Sequence, residues 1–430
     1  MANIRWKGGS AAVAQVTAYV FGGTWEATDV INVTIGDKTL SVVAGSTTIT
    51  TIVDTVVTAF NALSTTLYPE FSTITASRSS NSLVLTADSG TEGIPFTCTV
   101  ATTETGGGAA DAQTIDGAAS STGTDSTACS GPNFWSTAKN WDSGTVPANS
   151  DSVFFENNDV PVKYGLAQSA VTLTALNIAA SYTGTIGLPE ENEDASASYR
   201  EYRATYLAIG VTTTNIGEGS GQGSGRIKIN FGAVAGTVNV WQTASSPEQD
   251  LEAVIIKGSS LTAVNVTRGT VGVAIYGGET ATVTTLRVGY QDSVESDAAV
   301  RCGAGVTLTT LSMSGGAVQL GAGLTTVTKT GGTLTLLAGN VTTLTNDAGT
   351  VSYRGAGTIT TLNVGNDGEA LFTQDMRSRT VTDCNVYRGA ILRDSFSTVT
   401  WTNPIRLVRT TLDEVDLSLG VHRTYAIAGP

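Results

Sequence analysis

The residues best suited to chemistry lie in GLPEENEDASASYREYRATYLAIG, residues 187–210, where Glu190, Glu191, Glu193, Asp194 and Glu201 interleave with Tyr199, Tyr202 and Tyr206. Glycoside hydrolysis uses two carboxylates, and sugars stack on aromatic rings, so this segment is where a polysaccharide site would be sought. The spacing argues against one. A hydrolase pair is held on rigid elements, whereas a run of consecutive acids suits a solvated loop. The preferred reading is a loop packing on a neighbouring subunit, with Glu190, Glu191, Tyr199 and Tyr202 as its contact residues.

The other candidates lead away from catalysis. GEGSGQGSGRIKIN, residues 217–230, has Gly-x-Gly spacings but opens into an alternating strand. The helix N-terminus that would hold a phosphate is missing, so a turn is expected. The one histidine, His422, would have to serve any Ser-His-Asp or Cys-His device alone, and no GxSxG elbow partners it. A surface histidine is expected there, and histidine-based metal sites drop out with it. Cys98, Cys129, Cys302 and Cys384 lie far apart with no CxxC pair and read as small buried apolar side chains. GGTLTLLAG and GGAVQLGAG lack the acid of a calcium-binding nonapeptide. Neither a cofactor nor a metal is expected.

Arg5-Trp6-Lys7 forms a small cationic and aromatic arm on an acidic protein. Two readings stand side by side. In one the arm docks on an acidic partner surface with Trp6 as anchor and Arg5 and Lys7 as rim; in the other it is an ordinary first strand.

These residues are carried by a chain of 430 residues with 14% charged residues, 49 Gly and 9 Pro. That length is too great for one compact core, and abundant Thr and Val favour strands. A net charge of −14 excludes a nucleic-acid groove, which needs clustered Lys and Arg. No stretch of 18 uncharged apolar residues and no secretory h-region occurs, so synthesis in the cytosol and no membrane span are expected.

Three regions follow. Residues 1–125 are expected to form a small α+β, β-sandwich-like domain. DVINVTIG and KTLSVVA alternate around Gly36-Asp37 as a hairpin. From Ser46 to Leu63 the positions Ile49, Ile52, Val53, Val56, Phe60 and Leu63 keep helical spacing, so one helix should cover one sheet face. EFSTITASRS, NSLVLTADSG and IPFTCTVATT read as further strands. The Gly/Ser/Thr/Ala-rich residues 101–130 read partly as linker, with an edge strand around Ile115. Residues 126–157 hold Trp135 and Trp141, bulky enough to cap the open end of a β-structure.

From 158 to 415 a short phrase recurs: VTTLRVG, LTTLSMS, LTTVTKT, VTTLTND and ITTLNVG. Its closing apolar residues are Leu286, Leu311, Val327, Leu344 and Leu362. Weaker copies end at Leu176 and Val264 before them and at Val381 and Val399 after them. A unit this short fits one coil of a parallel β-helix, with inward Leu, Val and Ile and outward Thr and Ser. At ~18 residues per coil, about a dozen coils would make a rod of roughly 60 Å. Residues 416–430 are expected to be a terminal cap or tail.

WSTAKNWDSGTVPANSDSVFF, residues 135–155, is similar to the WxxxxNWxxGxxPxxxDxVxF phrase that opens β-helical segments in bacterial surface proteins. Residues 1–125 resemble a small domain found in structural proteins of tailed bacteriophages. Together the resemblance implies a virion structural protein that decorates or cements the capsid and docks on the major capsid or another virion protein. It also implies a homotrimer and carries no catalytic residue. The alternative is a tail spike or fibre that binds, and cleaves, host-surface polysaccharide through the acids of residues 190–201.

Overall fold

The computed structural model describes residues 2–105, 112–192, 197–249, 251–290, 297–420 and 425–428. The chain is mainly β, and among the described residues its one α-helix spans Ile49–Asn61. Twenty-two strands belong to a single sheet in which every strand pairing is parallel. One continuous apolar core follows it from Ile4 to Leu419.

The recurring phrase sets the register. Leu286, Leu311, Val327, Leu344 and Leu362 lie directly over one another through successive pairings. Upstream the row continues through Val264 and Val238 to Thr214 and Leu176. Downstream it continues at Cys384, which corrects the expected Val381 and Val399. Val381 pairs with Ile359, and Val399 pairs with Arg379. The reason is local. Each phrase carries two inward apolar residues three apart, such as Val283 and Leu286, where burial alternation slips by one residue. RTVTDCNV puts Cys384 in the second place, so the eye falls on the first.

The outward rows are polar and equally regular. Thr285, Thr310, Thr326, Thr343 and Thr361 form one. Beside it runs a ladder of amides. Asn215 donates to Asn177 at 3.0 Å, Asn239 to Asn215 at 2.9 Å, Asn265 to Asn239 at 2.8 Å, and Arg287 closes it on Asn265 at 3.0 Å. In-register stacking is what lets identical amides satisfy each other's donors and acceptors.

The small unit differs in topology and in boundary. Asn3–Arg5 pairs in parallel with Ser152–Phe155, so the first strand belongs to the large sheet and not to the domain expected over residues 1–125. The small unit is an insertion whose two ends meet where Val13 pairs with Ser130. It contains two antiparallel sheets, of four and five strands. Three short strands, Thr114–Ile115, Ser120–Ser121 and Thr124–Thr127, come from the presumed linker, and Ile115 pairs with Phe21. The helix buries Ile52, Val53, Val56 and Phe60, as its spacing predicts. Ile35 and Lys38 close the expected hairpin, and Gly36, with φ +61°, supplies the left-handed residue that a two-residue loop needs.

Candidate functional site

The acidic segment is a loop joining Ala167–Ala179 to Leu207–Glu218, and two of its acids, Glu190 and Glu201, hold cations. Glu190 pairs with Lys228, whose side chain is wholly buried. Lys228 lies between Ile227 and Ile229, which point into the core, so alternation turns it to the other face, where the loop covers it. Its Nζ sits 4.9 Å from the Tyr206 ring centroid and 5.0 Å from that of Tyr276. Lys257 lies 4.0 Å from the same Tyr206 centroid and pairs with Glu279 at 2.7 Å. Tyr206 donates its hydroxyl to Glu279 at 3.2 Å. Alternating charges thus surround one aromatic ring and fasten the loop to the sheet.

The second half of the loop reaches the small unit. Glu201 accepts from Arg203 Nη2 and Nε, each at 2.8 Å, and from Asn192 at 3.0 Å. Burial alone would raise the Glu201 carboxyl, but the Arg203 hydrogen bonds and charge, helped by Asn192, bring it below the usual range. Arg203 also donates to the Pro95 carbonyl at 3.1 Å. Tyr202 stacks with Tyr199 at 5.9 Å and packs against the small unit's core, where a Cβ on Gly36 would lie 3.2 Å from its ring. Glu191 is exposed and bridges Arg200 through the backbone. Glu193 and Asp194 lie outside the described residues.

A carboxylate pair for hydrolysis needs one acid kept protonated and one free to act across a gap. Glu190 and Glu201 are instead each committed to a cation. Tyr202 is packed between the two units. Tyr202 makes this contact inside the chain, with the small unit.

The docking arm is also corrected. Trp6 is 3% exposed, donates Nε1 to the Val160 carbonyl at 2.9 Å, and sits 4.9 Å from Trp141. Strand alternation aims Ile4 and Trp6 inward together, which leaves Arg5 and Lys7 outside. Arg5 pairs with Glu156 at 2.6 Å on the same chain. The first-strand reading is the one that fits.

Trp135 and Trp141 stand where the cap was expected, at the Asn3–Arg5 end of the large sheet. Both are buried, 4.8 Å apart edge to face, against Phe155. The rest of the phrase is explained by the same corner. Asn140 donates to the Gly131 and Phe134 carbonyls, each at 2.8 Å. Asp151 accepts from the backbone of Ala148 and Ala2, which holds its carboxyl below the usual range. Val153 and Phe155 enter the core.

The Gly-rich run is a turn: a Cβ on Gly217 would lie 1.9 Å from the Gln242 carbonyl, and Gln242 donates back to Gly219 and Gly221. Cys98, Cys302 and Cys384 are buried and Cys129 half-buried, all free, and burial pushes the Cys98 thiol up to about 12. His422 lies outside the described residues. Among the described residues, no group of three His, Cys, Asp or Glu could hold a metal ion, and no helix is long and apolar enough to cross a membrane.

Sequence reasoning missed Lys228, Tyr206, Lys257 and Glu279 as a cluster, because nothing local marks partners 38 and 22 residues apart. It missed the amide ladder for a different reason. The signal was present as a recurring Asn-Ile or Asn-Val pair, in LNIA, TNIG, VNVW and VNVT. Compared with known proteins, the chain matches no family model, no curated protein and no solved structure.

Proposed function

We propose that the 22-stranded parallel sheet, from the first strand and the Trp-lined end through Asp416–Ser418 and Tyr425–Ala428, is a parallel β-helix whose role is structural: a rod in the particle of a tailed phage, decorating or cementing the capsid. The observation that supports this reading most is the continuous parallel pairing, from the Trp-lined end to Tyr425–Ala428, combined with an acidic loop in which Glu190 and Glu201 serve internal ion pairs. Such a stack is stiff, because each strand's backbone groups bond to both neighbours and its side chains continue the same rows. The inserted small unit is the docking module in this reading, contacting the major capsid protein or another virion protein, and the rods associate as homotrimers. A surplus of acids keeps crowded copies soluble.

The test is copy number in purified particles, by quantitative mass spectrometry against the shell subunit. Hundreds of copies in a simple ratio to that subunit support decoration. A few copies to a few tens would overturn it in favour of a tail spike.

A further inference from the structure

Between the two sheets of the small unit lies a cleft of about 440 Å³, walled by Tyr19, Phe96, Thr17, Gln15 and Asp125 and closed on one side by Tyr202 of the rod loop. That volume is in the range of small-ligand sites, and its position between two parts of the chain is a common one for them.

Its polarity is one-sided. Gln15, 7% exposed, donates Nε2 to Thr17 at 3.0 Å, to the Phe96 carbonyl at 3.0 Å and to Asp125 at 3.3 Å, and its carbonyl oxygen accepts from the Phe96 N–H. Thr17, 2% exposed, donates its hydroxyl to Asp125 at 2.6 Å, and Tyr19 donates to the Cys98 carbonyl at 2.9 Å. The buried donors are therefore engaged within the wall, and they orient one carboxylate that is itself exposed. No Lys or Arg lines the cleft, and three rings do. A carboxylate beside aromatic rings suits a cation and repels an anion. The surroundings reinforce this: residues 13–130 carry eleven Asp and Glu against only Lys38 and Arg78, and Arg203 of the loop, 5.5 Å from the Tyr202 ring centroid, is already paired with Glu201. Such a field concentrates cations at the mouth.

We propose that this cleft binds an organic ammonium group, carried either by a free small amine or by a lysine side chain of a partner protein, with Asp125 as counter-ion and Tyr202 as the ring that completes the site. The site would stand whether or not the chain belongs to a virion. Because Tyr202 comes from the rod loop, occupancy would also brace the small unit against the rod.

The full chain is titrated by calorimetry with choline and with Nα-acetyl-lysine methylamide, each beside its neutral isostere, 3,3-dimethylbutanol or Nα-acetyl-norleucine methylamide. At least one ammonium compound is expected to bind in the millimolar range, about tenfold more tightly than its isostere. Asp125→Asn should lose that preference with an unchanged melting temperature, and Asp54→Asn, which removes a charge outside the cleft, should keep it. Preference for choline assigns the free amine; preference for the lysine compound assigns the partner side chain. The proposal fails if neither ammonium binds by about 50 mM, if the isosteres bind equally well, or if Asp54→Asn acts like Asp125→Asn.

Discussion

The large parallel sheet, the rod of the proposal above, and the inserted unit each bury one face of their sheets, but by opposite routes. In the large sheet, partners lie from 16 residues apart, as Leu311 and Val327, to 41 apart, as Ala167 and Ala208, with the first strand reaching further still, from Asn3 to Ser152, and the pairings run parallel. In the small unit they run antiparallel and can be as near as Ile35 and Lys38. Parallel stacking in register places like on like, so rows of Leu, Thr and Asn repeat in the sequence. The small unit has one closed core, drawn from both of its sheets and the helix. The rod's stability is therefore distributed over many similar interfaces, whereas the small unit should melt as one body.

The strongest way to break this comparison is at the rod's aromatic end. Trp141→Ala removes a fully packed ring and should cost about 3–5 kcal/mol, measured by denaturant unfolding of the rod signal, while the small unit's transition keeps its midpoint. A single shared shift would show that the two regions unfold together. Next is the fastening between them. Arg203→Ala leaves Glu201, whose side chain is fully buried, without its cation, a loss of about 3–5 kcal/mol in comparable buried pairs. Limited proteolysis should then cut near residues 95–130 faster, and unchanged digestion would mean that the fastening lies elsewhere.

Smaller effects sharpen the account of the rows. Asn239→Ala interrupts the amide ladder and strands the Asn265 donor, at a cost of about 1–2 kcal/mol. Thr326→Ala on the neighbouring row should cost well under that, and equal costs would show that the ladder adds nothing beyond burial. The subtlest effect is a slope with pH. Lys329 stands in an inward row between Met313 and Asn346, fully buried, and burial pushes its ammonium down to about 8. Between about pH 8 and its unfolded value near 10.5 the unfolded chain binds more protons, so this residue's contribution to stability rises with pH across that window. Relative to Lys329→Met, the wild type should gain stability from pH 8 to 10.5, and parallel curves would place the Lys329 ammonium in water.

Much of the rod was legible because its physics repeats. Leu286 to Leu362 could be aligned by eye, and each alignment is a pairing. The alignment failed at Val381, where cysteine replaced the aliphatic residue on which the eye was counting. The helix Ile49–Asn61 was legible from spacing, since its buried stripe is local. The path of the first strand was not, because nothing in NIRW names a partner near residue 153, and only the inward pairing of Ile4 and Trp6 shows which alternative holds. The acidic loop was misleading for the same reason: Glu190 and Glu201 advertise charge, while Lys228 and Arg203, which neutralise them, are ordinary residues in a strand and a loop. Charge pairing across the fold is a property of the stack, not of the segment.

The most direct test of the stack is a pair of spin-label distances along the threonine row, in a background with the four cysteines replaced by alanine. Thr285 and Thr361 are four pairings apart, and Thr213 and Thr361 are seven. At ~4.8 Å per pairing the account predicts backbone separations of about 19 and 34 Å, a difference set by the number of pairings. Equal distances, or a shorter one for the pair more distant in sequence, would contradict a parallel stack in this register.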